Sequence, residues 1–293
     1  MSPPEILSDV ARYFHQKTQS ILGRYGPGPR VHYHTGLVDD APAEGASMLV
    51  LRRALVDGQE LMLRHAAEVW DASEQLNGEI LDVGCGLGGG SIFWAEEFGA
   101  RVTAVTCVPS HAEWVARFAM EAGLSHRITP LVCNATDVPG DSRFDAAVAV
   151  DSSGYLPRRD WLCRTASLLR PGGSVFIVDC FLEDPKYADL FNSHWHTRIG
   201  TIDEYFTAAR QSGLKAGSVV DVTNRTVHFW TTTLALIDAE AASAEGDAAN
   251  RHAASLDAHS LVRDGLAHGG LRYAMLSFTK SAERRSGRSP TSP

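Results

Sequence analysis

The stretch 79–90, EILDVGCGLGGG, constrains this chain more than any other. Ile80-Leu81-Asp82-Val83 is a short apolar run holding one carboxylate, and it breaks off into a loop with glycine at 84, 86, 88, 89 and 90. A buried strand entering a tight turn has this form. Glycine is demanded where φ is positive, or where a ligand approaches main-chain N–H groups without a Cβ in the way. Residues 91–98 then carry apolar side chains at helical spacing, so the loop feeds a helix N-terminus and a nucleotide-like ligand is expected there.

From 79 to 179 the chain alternates strand and helix. The strands expected are 79–83, 101–106, 128–132, 144–150 and 173–179, with amphipathic segments at 90–98, 109–122 and 158–169. Such alternation predicts a parallel sheet covered on both faces and joined by right-handed crossovers. The run 168–173, LLRPGG, reads as a helix stop and a turn into the fifth strand, while 215–222 and 270–279 read as strands six and seven around a mostly helical 228–266. Ahead of the repeat, Ile6, Val10, Tyr13 and Phe14 predict a helix over 5–22, ended by Gly23, Gly26, Pro27, Gly28 and Pro29. The following VHYHTG, 31–36, sets an aromatic between two histidines and reads as a pocket wall; no third ligand follows at metal-binding spacing, so no metal is expected. Residues 44–75 predict two helices, and the polar 281–293 a disordered tail.

Composition narrows the function. With 293 residues, 44% of them hydrophobic, the chain can bury a full core. A net charge of −8, with basic residues clustered only at 284–288, argues against a nucleic-acid partner. No apolar run approaches the ~20 residues of a membrane span, and the start MSPPEILSDV is not a signal sequence, so the cytoplasm is the expected location. The cysteines at 85, 107, 133, 163 and 180 form no C-x-x-C pair and read as reduced, buried residues near strand ends.

The spacing Gly84-x-Gly86-x-x-Gly89 also fits the dinucleotide fingerprint. Two neighbours discriminate. Asp82 lies inside the strand, where nicotinamide-binding loops carry an apolar residue, and no carboxylate occurs between Glu97 and Glu113, where a ribose-holding acid belongs. The run D-V-G-C-G-x-G instead resembles the first motif of class I S-adenosylmethionine-dependent methyltransferases, and L-R-P-G-G at 169–173 resembles their entry to strand five. Within that class the chain is similar to small-molecule C-methyltransferases of the isoprenoid-alkene type, among them the geranyl diphosphate, sterol and cyclopropane-fatty-acid enzymes. The similarity spans most of 5–280. It is carried by Ala11-Arg12-Tyr13-Phe14, His32-Tyr33-His34-Thr35-Gly36, the glycine loop, Val105-Thr106, the segment 151–155, and Asp221-Val222-Thr223 with Trp230.

The resemblance implies a Rossmann-like α/β fold, a seven-stranded class I sheet with the last strand antiparallel and an N-terminal helical extension. It divides the chain into an N-terminal lid and oligomerisation segment, 1–42, a methyltransferase domain, 43–280, with lid insertions at 181–199 and 228–266, and the tail. S-adenosylmethionine is the implied cofactor, held by Asp82, Gly84, Gly86 and Gly88, by Thr106 and Ser110 in place of the missing acid, and by Asn134 and Ala135, the Asn134 carbonyl taking the adenine amino group. The implied acceptor is an alkene carbon of an isoprenoid (geranyl) chain on a small molecule such as an indole alkaloid, with a cation that is free to cyclise. Aromatic faces and a carboxylate suit a cation. Candidates are Asp151, Tyr155, Tyr33, His34 and His196 for catalysis, and Trp195, Tyr205, Phe229 and Trp230 with the two tyrosines for substrate binding. A homo-oligomer, a hexamer with swapped N-terminal helices, is implied as well. Alternatives left open are an O- or N-methyltransferase using His34 or His196 as base, a nicotinamide-dependent oxidoreductase, and a non-catalytic nucleotide-binding module.

Overall fold

The computed structural model describes residues 5–242 and 247–282. Seven strands make one sheet: β1 (Glu79–Val83), β2 (Arg101–Thr106), β3 (Ile128–Val132), β4 (Phe144–Val150), β5 (Leu169–Leu182), β6 (Leu214–Asp221) and β7 (Leu271–Lys280). Their order is β3-β2-β1-β4-β5-β7-β6, with β1 to β5 parallel and β7 antiparallel to both neighbours. The expected class I methyltransferase sheet is thus present, last strand included. The order reverses between β1 and β4, so a crevice opens outside their carboxyl ends.

Alternation along the strands feeds two cores. Ile80, Val102, Ala104, Ala146, Val148, Phe176 and Val178 face one side. There they meet α2 (Met48–Val69) and α4 (Gly89–Phe98), and Trp70, just past the end of α2, stacks on Phe176 with centroids 4.6 Å apart. Leu81, Val83, Val105, Ala147, Ala149, Val175 and Ile177 face the other, against Trp161 and Leu162 of α6 (Arg158–Leu168) and Ala208 and Ala209 of α8 (Ile202–Gln211). The remaining helices are α1 (Glu5–Tyr25), α3 (Ser73–Leu76), α5 (Pro109–Glu121), α7 (Ala188–Trp195), α9 (Thr223–Ala241) and α10 (Asp247–Ala267). Helices α7, α9 and α10 contribute side chains to one end of the crevice. None of the described helices is long and apolar enough to cross a membrane.

Three expectations need correction. Residues 44–75 form one 22-residue helix, α2, and a single-turn α3, rather than two comparable helices. The glycine in the middle of α2, Gly58, is no break: it lets the segment 36–37 cross, since Leu37 donates its N–H to the Gly58 carbonyl at 2.9 Å and a Cβ on Gly36 would sit 2.5 Å from the Gly58 carbonyl carbon. Strand β5 starts at Leu169, not 173, because Leu169 already pairs with Phe144 and the ladder resumes at Ala146–Ser174 after a register shift. Finally, Cys163 on α6 is exposed, unlike the buried Cys85 and Cys180. The tail from 283 on lies outside the described residues.

Candidate active site

Strand β1 delivers Asp82 and then the glycine loop. Gly84 has φ +71°, and a Cβ there would press on Ser152 at 2.5 Å; Gly86 has φ +54° and faces open space. Asp82 accepts a 2.5 Å hydrogen bond from the Ser91 hydroxyl on the first turn of α4, and burial pushes its carboxyl up to about 6. The loop therefore ends on the N-terminus of α4 with backbone donors and one buried acid beside a cavity.

That cavity runs along the carboxyl ends of β1, β2, β4 and β5. On the β2 and β3 side it is lined by Thr106, Asn134 and Ala135. Thr106 Oγ1 accepts from the Val108 N–H at 3.1 Å and keeps its own proton to donate, while Asn134 gives Nδ2–H to Asp137 at 3.0 Å and keeps its carbonyl to accept. Beyond β4 the wall is Asp151 and Tyr155, and across from them stand Tyr33 and His34. The far end is aromatic: Phe191 and Trp195 of α7, Phe229 and Trp230 of α9, and His259 of α10, with Trp195 and Trp230 edge to face at 6.0 Å.

Asp151 leaves β4 with φ +47°, a left-handed conformation uncommon for a residue with a side chain, and the turn aims its carboxylate into the cavity wall. One oxygen accepts the Thr35 N–H at 2.6 Å and the other the hydroxyl of Tyr273 from β7. The His34–Thr35 peptide is clamped from both sides, because Gln59 of α2 donates to the His34 carbonyl at 2.7 Å. His34 has no free nitrogen. Its Nδ1–H donates to the Thr35 carbonyl at 2.8 Å, and its Nε2 lies 3.3 Å from Nδ1 of His32, whose Nε2 meets Glu60 at 3.0 Å. Burial, and then the neighbouring His32, hold the His34 imidazole down to about 3.

Residues 80–173 match the methyltransferase domain family. A geranyl diphosphate 2-C-methyltransferase of Streptomyces lasalocidi is 29% identical over 239 residues, 76% of this chain and 78% of that one. A probable chloroplastic tocopherol O-methyltransferase of Oryza sativa subsp. japonica is 32% identical over 181 residues, 60% of this chain and 47% of that protein. A solved geranyl diphosphate methyltransferase, in complex with GPP and sinefungin, superposes with a TM-score of 0.78 at 22% identity, covering 94% of this chain and 98% of its own. The chain is a class I S-adenosylmethionine-dependent methyltransferase. It is related to the geranyl diphosphate C-methyltransferases, and the oxidoreductase and non-catalytic alternatives fall away.

In this methyltransferase the cofactor end passes a test of fit: a loop open at Gly86, an acid at Asp82, a hydroxyl at Thr106 and a free amide carbonyl at Asn134 face one space. Ser110 does not join them. It sits on the first turn of α5 and bonds His15 of α1 at 2.9 Å, outside the cavity lining. Gly88 is also off the lining; with φ +89° it caps α4 and packs on Val115. Tyr205 is the clearest displacement, because α8 packs on the opposite sheet face: its ring is edge to face with Phe181 at 5.1 Å and its hydroxyl bonds Ser153 at 2.8 Å, behind the wall. His196 ends α7 with φ +56° and lies against Tyr13 at 4.9 Å, again outside the lining.

Several lining residues escaped the sequence reading. Phe14 of α1 packs edge to face on Tyr155 at 5.3 Å and on Tyr33 at 6.3 Å; its motif was legible, its direction was not. His111 of α5 bonds Thr18 of α1 at 3.1 Å and fastens that helix over the opening. Asp179, Tyr273 and His259 stand on elements remote in sequence, and no local pattern marks them.

Proposed function

We propose that this methyltransferase methylates an alkene carbon of an isoprenoid (geranyl) chain carried by an uncharged small molecule, a geranylated indole alkaloid in the manner of teleocidin B formation, and that the resulting cation cyclises onto the ring. The supporting observation is the cavity wall: aromatic rings and aspartates line it, and among the described residues no lysine or arginine does. S-adenosylmethionine supplies an electrophilic methyl group. An alkene has no proton to lose before it attacks, so the residues align it, exclude water and tolerate the positive charge that follows; S-adenosylhomocysteine leaves as the new C–C bond forms, and the ring gives up a proton to solvent after the cation has closed on it. Tyr33 and Tyr155 offer ring faces and Asp151 an anion at the reacting end, while Trp195, Phe229 and Trp230 hold the apolar remainder of the substrate. Among the described residues a diphosphate headgroup finds no lysine or arginine within this wall, and no group of three His, Cys, Asp or Glu side chains stands ready for a metal ion.

Transfer to oxygen or nitrogen is the second reading, favoured by the identity with the rice tocopherol relative. It needs a base, and the two nitrogens of His34 are both engaged. Incubation with a geranylated indole alkaloid and methyl-labelled cofactor separates the readings. The label is expected on a former alkene carbon of a cyclised product; label on oxygen or nitrogen rejects the carbon chemistry.

A further inference from the structure

Strands β4 and β5 are parallel with Val150 opposite Val178, so the next residues, Asp151 and Asp179, leave the sheet side by side and both line the cavity. Asp179 is furnished only with donors. One oxygen accepts the Ser153 N–H at 3.0 Å, the Gly154 N–H at 3.2 Å and the Ser153 hydroxyl at 2.5 Å; the other accepts the Cys180 N–H at 2.8 Å. The Tyr205 hydroxyl completes the set by donating to Ser153. Asp151 accepts from Thr35 and Tyr273. The titratable groups around the pair are hydroxyls, one thiol and one imidazole: Tyr33 and His34 from the 31–37 segment, the imidazole held down to about 3 by burial and so uncharged, Tyr155 after β4, Cys180 on β5, Tyr205 on α8 and Tyr273 on β7. The cation on that side, Arg158, lies over the Tyr205 ring at 5.2 Å and not in the cavity wall.

Two adjacent carboxylates with no lysine or arginine among the described residues of the wall cannot both ionise without cost. We propose that Asp151 and Asp179 act as one charge-sensing unit, which gives up a shared proton to solvent when a sulfonium occupies the cavity and recovers one when the neutral thioether remains. The donors around Asp179 make the doubly ionised form reachable, and burial followed by the charge of Asp151 sets its carboxyl up to about 7, within the working range of such a switch. The pair then favours the charged cofactor over its spent product by an amount that grows with pH.

The test is the dissociation constant of S-adenosylmethionine and of S-adenosylhomocysteine for the full chain between about pH 6 and 8.5, without acceptor. The two ligands share every titrating group, so the ratio of their constants isolates the sulfonium charge. Preference for the sulfonium should climb with pH, by up to about tenfold per pH unit for one proton released, and level off once both acids are ionised. Asp151→Asn and Asp179→Asn should each flatten that climb. A ratio independent of pH in the unaltered protein overturns the proposal, and a climb that survives in Asp151→Asn overturns the pairing even where Asp179→Asn fails to fold. Neither outcome bears on which atom of the acceptor is methylated.

Discussion

At the scale of single residues, Asp151 does two jobs that one substitution separates. Asparagine keeps the shape and one acceptor for the Thr35 N–H but loses the charge, so Asp151→Asn should lower kcat by about 10- to 100-fold while shifting cofactor affinity far less at pH 6. Tyr155→Phe keeps the ring face that meets Phe14 and loses the hydroxyl; methylation should persist with an altered product mixture, read by chromatography. Asp82 carries a stability consequence with a definite sign. Its folded carboxyl titrates near 6, above its ordinary value of 3.8, so its proton is held in the folded state and the associated stability is present at low pH and lost as pH rises through about 6. Asp82→Asn can still accept from Ser91 and never ionises. It should raise Tm at pH 8, by an amount worth roughly 1–3 kcal/mol, show no gain near pH 4, and weaken cofactor binding. Equal melting at both pH values would remove the buried acid from the account.

At the scale of elements, the most exacting contact is the crossing of the 31–38 segment over α2. Gly36 and Gly58 meet backbone to backbone, and from that crossing hang the clamped His34–Thr35 peptide, Tyr33 and the bond to Asp151. Gly36→Ala forces these backbones apart and should cost about 1–3 kcal/mol of stability, with a disproportionate loss of activity because the cavity wall moves with the segment. Calorimetry and kcat on the same sample check both. This crossing also marks where sequence reading stops. Strands β1 to β4 were legible because buried parallel strands are short apolar runs between turn signals, and the glycine loop because its backbone needs leave glycine little competition. Nothing local explains Gly58, since a helix interior gains nothing from glycine; its purpose lies in a segment over twenty residues away. Tyr205 read as substrate-facing because an aromatic face suits a cation, and only the side of the sheet on which α8 packs decides otherwise. Asp179 and Tyr273 become neighbours of Asp151 through strand pairing, which no local spacing encodes.

At the scale of the whole molecule, α1 closes the cavity although it lies outside the βα repeat. Its polar attachments are Thr18 to His111, His15 to Ser110, and Arg24 to Glu240 at 2.5 Å, and Val10, Ile21 and Tyr25 are buried beside them. The Gly/Pro-rich 26–29 that follows gives the chain a hinge, and we propose that in solution the helix is exchanged between protomers of a homo-oligomer, a hexamer at full assembly. Removing residues 1–28 should then yield smaller particles by light scattering; an unchanged assembly mass counts against exchange.

Phe14 standing between Tyr33 and Tyr155 has a bearing on timing. A helix held this way lifts no faster than loops and termini move, nanoseconds to microseconds, and in concert with its neighbours more slowly still. On the proposed chemistry, a carbocation shut behind it meets its fate against whatever walls surround it at its birth, before any door opens. On that reading the choice of product is made in the dark, by geometry fixed in advance, and the expectation that follows is a pace of turnover set by the lifting of the helix. Solvent viscosity should slow the second and leave the first untouched.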